Sequence, residues 1–168
     1  MSSGYGYAPG MKLSGGVEWA VHCCVVLSQA EEPVPAPRLA DYHGVSRTYL
    51  AKHLQQLSRA GLVASTEGRV GGYSLTRPAR DISVLDVVLA IEGSEPAFRC
   101  TEIRARGPFP ASAEQCRRPC GISRAMYAAE DAWRASLAGV TVAELAVGVE
   151  KDNGPKTFAR LRGWLADA

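Results

Sequence analysis

The chain has 168 residues, 46% of them hydrophobic, and a formal net charge of only +2. That length suits one domain with an appended arm, and the composition fits a soluble globular fold rather than a disordered or fibrous one. No apolar run reaches membrane-spanning length and no signal-peptide pattern opens the chain, so a cytoplasmic protein without a membrane partner is expected, with any basic surface a local patch.

In chain order, residues 1–10 are rich in Gly and Ser and read as a disordered extension. A long apolar helix follows over residues 16–29, interrupted by Glu18 and His22. These two lie four apart and therefore share a face. An ionisable residue among Val17, Ala20, Val21 and Val25 must be at an edge, paired, or bound to something. A Glu–His pair on a half-exposed face is the simplest reading of the residues alone. Cys23 and Cys24 fit small buried hydrophobes better than ligands.

Residues 34–42 predict a short helix with Leu39 and Ala40 inward. After the turn at Gly44-Val45, Ser46 has the residue type of a helix cap. Leu50, Leu54 and Leu57 then recur at helical spacing, which leaves Arg47, Thr48, Tyr49, Lys52 and His53 for the outer face. Gly61 ends that helix, and residues 62–66 and 73–76 read as a hairpin with Gly68, Gly71 and Gly72 in its turn and Arg69 at its tip. A helix, a turn, a second polar-faced helix and a glycine-rich hairpin in this order point to a winged helix-turn-helix. Its second helix would enter the major groove through Ser46, Arg47, Thr48, Tyr49, Lys52 and His53, with Arg69 on a phosphate or the minor groove. Double-stranded operator DNA is the expected partner.

Residues 81–92 predict another helix, with Ser83 and Asp86 at capping-box spacing. Residues 93–120 lack periodicity and hold Cys100, Cys116 and Cys120, three of the five cysteines. A loop this long inside a compact domain is usually functional. Cys116 and Cys120 stand four apart at a helix start beside Arg117 and Arg118, a setting that favours thiolate. In a cytoplasmic chain they point to metal binding or redox sensing before structural disulfides. Residues 121–138 form an amphipathic helix whose stripe of Ile122, Met126, Ala129, Trp133 and Leu137 suits a coiled-coil seam with a second copy. Thr141 and Glu144 open a further capped helix to about Val149, and residues 151–168 read as a flexible or marginally helical tail.

The expected fold is mainly α with a small β-wing. Residues 11–92 would read DNA, 93–120 would form a cofactor loop, and 121–150 would dimerise. No Rossmann glycine motif or nucleophile–base pair supports a small redox enzyme, so no enzyme is expected.

Met11-Lys12-Leu13-Ser14, Tyr49-Leu50, residues 57–63, Gly71-Gly72-Tyr73, the cysteine loop and Thr141-Val142-Ala143-Glu144-Leu145 together resemble the IscR/NsrR-type family of bacterial winged-helix regulators. The sequence is most similar to its RsrR-like redox-sensing subgroup. Glu18 and Trp19 replace the basic residue and Tyr common in the family, and Glu67 stands where Arg often precedes the wing glycine. The resemblance implies a dimeric regulator, expected to be a repressor, with a [2Fe–2S] cluster shared between subunits. It assigns Glu18 and His22 of one subunit and Cys116 and Cys120 of the other as the iron ligands, with Cys100 outside the set. A [4Fe–4S] centre on Cys100, Cys116 and Cys120, responsive to nitric oxide or oxygen, and a metal-free thiol switch are the alternatives.

Overall fold

The computed structural model describes residues 13–68 and 71–167. The proposed disordered extension at residues 1–10 and the wing-tip Arg69 lie outside the described residues. Eight α-helices and one hairpin follow in order among the described residues: α1 (Gly15–Leu27), α2 (Ala36–His43), α3 (Arg47–Arg59), β1 (Val63–Thr66), β2 (Gly72–Leu75), α4 (Val84–Glu92), α5 (Ala113–Cys116), α6 (Gly121–Ala138), α7 (Val142–Asn153) and α8 (Thr157–Ala166).

Local chemistry sets most of these boundaries. Pro35 and the Pro37 inside the first turn start α2, where a missing N–H costs nothing. The Ser46 hydroxyl accepts from the Tyr49 N–H at 3.1 Å and starts α3. Ser83 and Asp86 form a reciprocal capping box at α4, and Thr141 and Glu144 do the same at α7. The two caps are joined, because the Val84 N–H donates to the Val140 carbonyl and the Val142 N–H to the Ile82 carbonyl.

α1 is the central element and packs against α3, α4 and α7. It contributes Ala20, Cys23, Cys24, Val25, Val26 and Leu27 to a core that also holds Leu39, Leu50, Leu54, Leu57, Ile82 and Val87. β1 and β2 pair antiparallel, from Val63 opposite Leu75 to Thr66 opposite Gly72. Val34 adds a one-residue third strand: it exchanges backbone hydrogen bonds of 2.9 and 2.8 Å with Tyr73. This explains Gly72, since a Cβ there would stand 2.4 Å from the Val34 carbonyl carbon.

The tail holds the helix its sequence allows, but packed on the core rather than marginal. Residues 157–166 form α8, and Phe158 and Leu161 are buried in the core at 5% and 3% exposure. The Arg38 guanidinium of α2 lies 3.8 Å over the Trp164 ring and also donates to the Trp164 carbonyl. Apolar burial and this stacking order a helix that its modest propensity would not.

Candidate nucleic-acid interface and cysteine loop

The outer face of α3 begins where the sequence puts it. Ser46, Arg47, Thr48, Tyr49 and Lys52 are exposed, while Leu50, Leu54 and Leu57 are fully buried. Arg47 reaches back 3.6 Å to Asp41 of α2, an exposed ion pair across the turn. His53 does not belong to this face. It is 5% exposed, because positions 50, 53, 54 and 57 form one helical stripe directed at α1. Its Nδ1 lies 3.1 Å from Gln56 Oε1, its ring meets the Tyr49 ring edge-on at 4.8 Å, and its Nε2 has no partner. A DNA contact from His53 is therefore excluded by burial. Beyond α3, the β1 residues Ala64, Ser65 and Thr66 and the turn residues Glu67 and Gly68 are exposed.

The cysteines separate into two environments. Cys23 and Cys24 are fully buried, and burial pushes both thiols up to about 12. The other three lie on a loop organised by Arg104. Its Nε stands 2.5 Å from Glu102 Oε1, and the guanidinium also donates to the Arg118 carbonyl at 2.9 Å and the Gln115 carbonyl at 3.3 Å. The Ala111 N–H closes the turn onto the Arg104 carbonyl at 2.8 Å. Hydrogen bonding from Arg104 holds the Glu102 carboxyl below the usual range, with a smaller contribution from Cys116. Glu102 takes a left-handed φ of 50°, and its N–H points to Cys100 Sγ at 3.4 Å.

Cys116 ends α5, half-buried, with Sγ 4.0 Å from the Ala111 carbonyl. Cys120 caps α6: the Ser123 N–H donates to its Sγ at 3.4 Å, and the Ser123 hydroxyl lies at 3.5 Å. The Ser123 hydroxyl is the chief cause of a thiol below its ordinary pKa, followed by the Ser123 N–H, with the Arg104 charge adding to it. Arg117, placed beside the thiols by the sequence, is instead paired with Glu114 at 3.0 Å. The sequence reading missed both Ser123 and Arg104. The first was signalled by a polar residue three after a Cys at a helix start; no local pattern marks the second.

Glu18 and His22 lie one turn apart on the exposed side of α1, and they do not pair with each other. The His43 ring of α2 lies 5.9 Å from the His22 ring and 6.0 Å from Trp19. Burial, then the neighbouring His22, lowers the proton affinity of His43. His22 also borders a cavity of about 810 Å³ lined by Val25, Val26, Tyr42, Phe158 and Trp164. Among the described residues of one chain, no three His, Cys, Asp or Glu side chains converge to hold a metal ion.

α6 offers its apolar stripe unevenly. Ile122 is 71% exposed and Met126 43%, whereas Trp133 and Leu137 are half-buried where the helix passes α4. The loop start is tied to the same helix, with the Ala97 N–H donating to Glu130 Oε2 at 2.9 Å and Arg134 to the Ser94 carbonyl at 3.2 Å.

Comparison with known proteins places this architecture. Protein aau3 of Rhizobium meliloti is 32% identical over 161 residues, spanning 89% of this chain and 99% of that protein. The HTH-type transcriptional regulator IscR of Vibrio atlanticus is 38% identical over 92 residues, 54% of this chain and 53% of its own. The solved structure of T. potens IscR superposes with a TM-score of 0.63 at 25% identity, covering 85% of this chain and 91% of the other. Residues 13–148 match the Rrf2 family, described as "Iron-dependent Transcriptional regulator", so the winged helix belongs to a DNA-binding transcriptional regulator of the Rrf2 family and not to an enzyme.

Proposed function

We propose that this regulator is a cytoplasmic, redox-responsive homodimer, acting as a repressor, in which a [2Fe–2S] cluster is held by Glu18 and His22 of one subunit and Cys116 and Cys120 of the other. The observation that carries this reading is a pair of donor sets left free for ligation. Glu18 and His22 share the exposed side of α1 without pairing, and Cys116 and Cys120 are free, half-buried thiols on the Arg104 loop, Cys120 with a lowered pKa. The donor chemistry fits: thiolates suit iron, and an imidazole with a carboxylate completes a mixed ligand set. When bound, such a cluster supplies one-electron redox chemistry.

The chain's own residues would do the rest. Ser123 donates to Cys120 Sγ and so favours its thiolate form. Arg104 ties Glu102 to the carbonyls of Gln115 and Arg118, which fixes the segment between the two cysteines. His22 must be neutral to act as a ligand, and Glu18 brings negative charge. On DNA, Ser46, Arg47, Thr48, Tyr49 and Lys52 would face the major groove and Arg69 the backbone or minor groove. Ile122, Met126, Trp133 and Leu137 would form the two-fold seam, setting the recognition helices about one DNA turn, roughly 34 Å, apart. In this reading, residues 11–92 read DNA, 93–120 hold the cofactor and 121–150 dimerise.

The test is anaerobic purification of the full chain and single variants, with iron and sulfide analysis and visible and paramagnetic spectra. Equal iron and sulfide is expected in the parent. Cys116→Ala and Cys120→Ala should lose the cluster, and Glu18→Ala and His22→Ala should shift its potential more than Cys100→Ala. The ligand set is wrong if Cys100→Ala abolishes the cluster while Glu18→Ala and His22→Ala leave spectrum and potential untouched. Metal-free protein with a reversible Cys116–Cys120 disulfide would support the thiol switch instead.

A further inference from the structure

The recognition helix carries one polar side chain on its inner stripe, His53, and three parts of the protein meet on it. The first is α1. A Cβ at Gly16 would stand 2.4 Å from His53 Cε1 and 2.8 Å from Nδ1, so the imidazole occupies space that only a glycine leaves. The second is α4, reached through Gln56, which lies 3.1 Å from His53 Nδ1 and donates to the Ile91 carbonyl at 3.2 Å. The third is Tyr49, whose ring lies edge-on to the imidazole at 4.8 Å. Tyr49 is 42% exposed, with its outer flank open to solvent and its inner flank on His53. The buried Nε2 has no hydrogen-bond partner, so satisfying both ring nitrogens does not explain the histidine. Its ring shape does: it fills the Gly16 slot and packs T-shaped against the Tyr49 ring.

We propose that His53 is a positioning residue for DNA recognition: seated against Gly16, it holds the Tyr49 ring in the orientation offered to the operator, and so sets sequence specificity without touching DNA. The inference rests on Tyr49 being a DNA contact. A side chain already held in its bound rotamer loses less freedom on binding, and that saving applies only where the ring finds its base. Nonspecific binding runs through phosphate contacts and should not depend on it.

The experiment uses full-length protein and two duplexes: one recovered by in vitro selection with the parent protein, and a scrambled version of the same length. Affinities are measured at several salt concentrations for Gly16→Ala, His53→Ala, His53→Phe and Tyr49→Ala, and for the double variant carrying His53→Ala and Tyr49→Ala. Gly16→Ala and His53→Ala should each lower the selected-to-scrambled affinity ratio by about two- to tenfold, the range corresponding to immobilising one side chain. Scrambled-duplex affinity and salt slope should stay unchanged. His53→Phe keeps a ring in the slot and should restore the ratio, and it also keeps the test alive if the alanine variants unfold. In the Tyr49→Ala background, His53→Ala should have no further effect. An unchanged ratio, an equal loss on both duplexes, or an undiminished effect without Tyr49 each overturns the proposal. If Tyr49→Ala alone leaves the ratio intact, it is the assignment of Tyr49 as a DNA contact that has failed.

Discussion

Replacing Phe158 by Ala tests whether α8 is part of the folded unit. Phe158 is 5% exposed and packs in the common core with Leu161. Phe-to-Ala truncation in a core costs about 3–5 kcal/mol, combining lost transfer free energy with the cavity left behind. Phe158 also borders the open cavity beside α1, where neighbours can relax and water can enter. The low end, about 3 kcal/mol, is therefore expected. For a chain of 168 residues that corresponds to a fall in melting midpoint of roughly 6–12 °C. Thermal and urea unfolding followed by circular dichroism would measure it, at one protein concentration so that any self-association is held constant. Lys156→Ala, an exposed change at the start of the same helix, is the control. A Phe158→Ala midpoint within about 2 °C of that control would show that α8 is a loose appendage and refute the packing argument.

Lys52→Ala should weaken binding to all duplexes and reduce the salt slope by about one unit if Lys52 meets a phosphate; an unchanged slope in a fluorescence anisotropy titration would remove that contact. Met126→Glu should place a charge in the exposed α6 stripe and shift the protein toward monomer in sedimentation velocity, whereas an unaltered dimer would locate the seam elsewhere. Hydrogen bonds from the Thr141 N–H and hydroxyl hold the Glu144 carboxyl below its ordinary range. Its contribution is thus full above the unfolded carboxylate value and is lost as pH falls through the lower folded value. Glu144→Gln should be less stable than the parent near neutral pH, with the gap closing on acidification; a gap constant with pH would contradict this.

Local chemistry made most elements readable. Ser46, Ser83 and Thr141 mark helix starts through bonds made within three residues, and such bonds need no knowledge of the rest of the chain. Gly71-Gly72 reads as a turn, yet the reason for Gly72 is the approach of Val34, far away in sequence. The polar type of His53 suggests the outer face, but its helical spacing to Leu50 and Leu57 puts it on the inner stripe. α8 is short and contains Gly163, so local propensity marks it only weakly and its order comes from tertiary burial. The cysteine loop was recognisable by composition, but the Glu102–Arg104 clamp that shapes it joins carbonyls more than ten residues away. Glu18 and His22 were legible as anomalies on an apolar helix.

The sealed pair Cys23 and Cys24 gives the protein a built-in gauge of its own opening. Both sulfurs lie in the middle of α1, out of reach of water and poor nucleophiles even if reached, whereas Cys100 is exposed. A thiol reagent applied to native protein would therefore mark the loop quickly and the helix only when the core breathes. The mass of the α1 peptide over time then reports how often that helix opens, within the same sample whose loop chemistry is being followed.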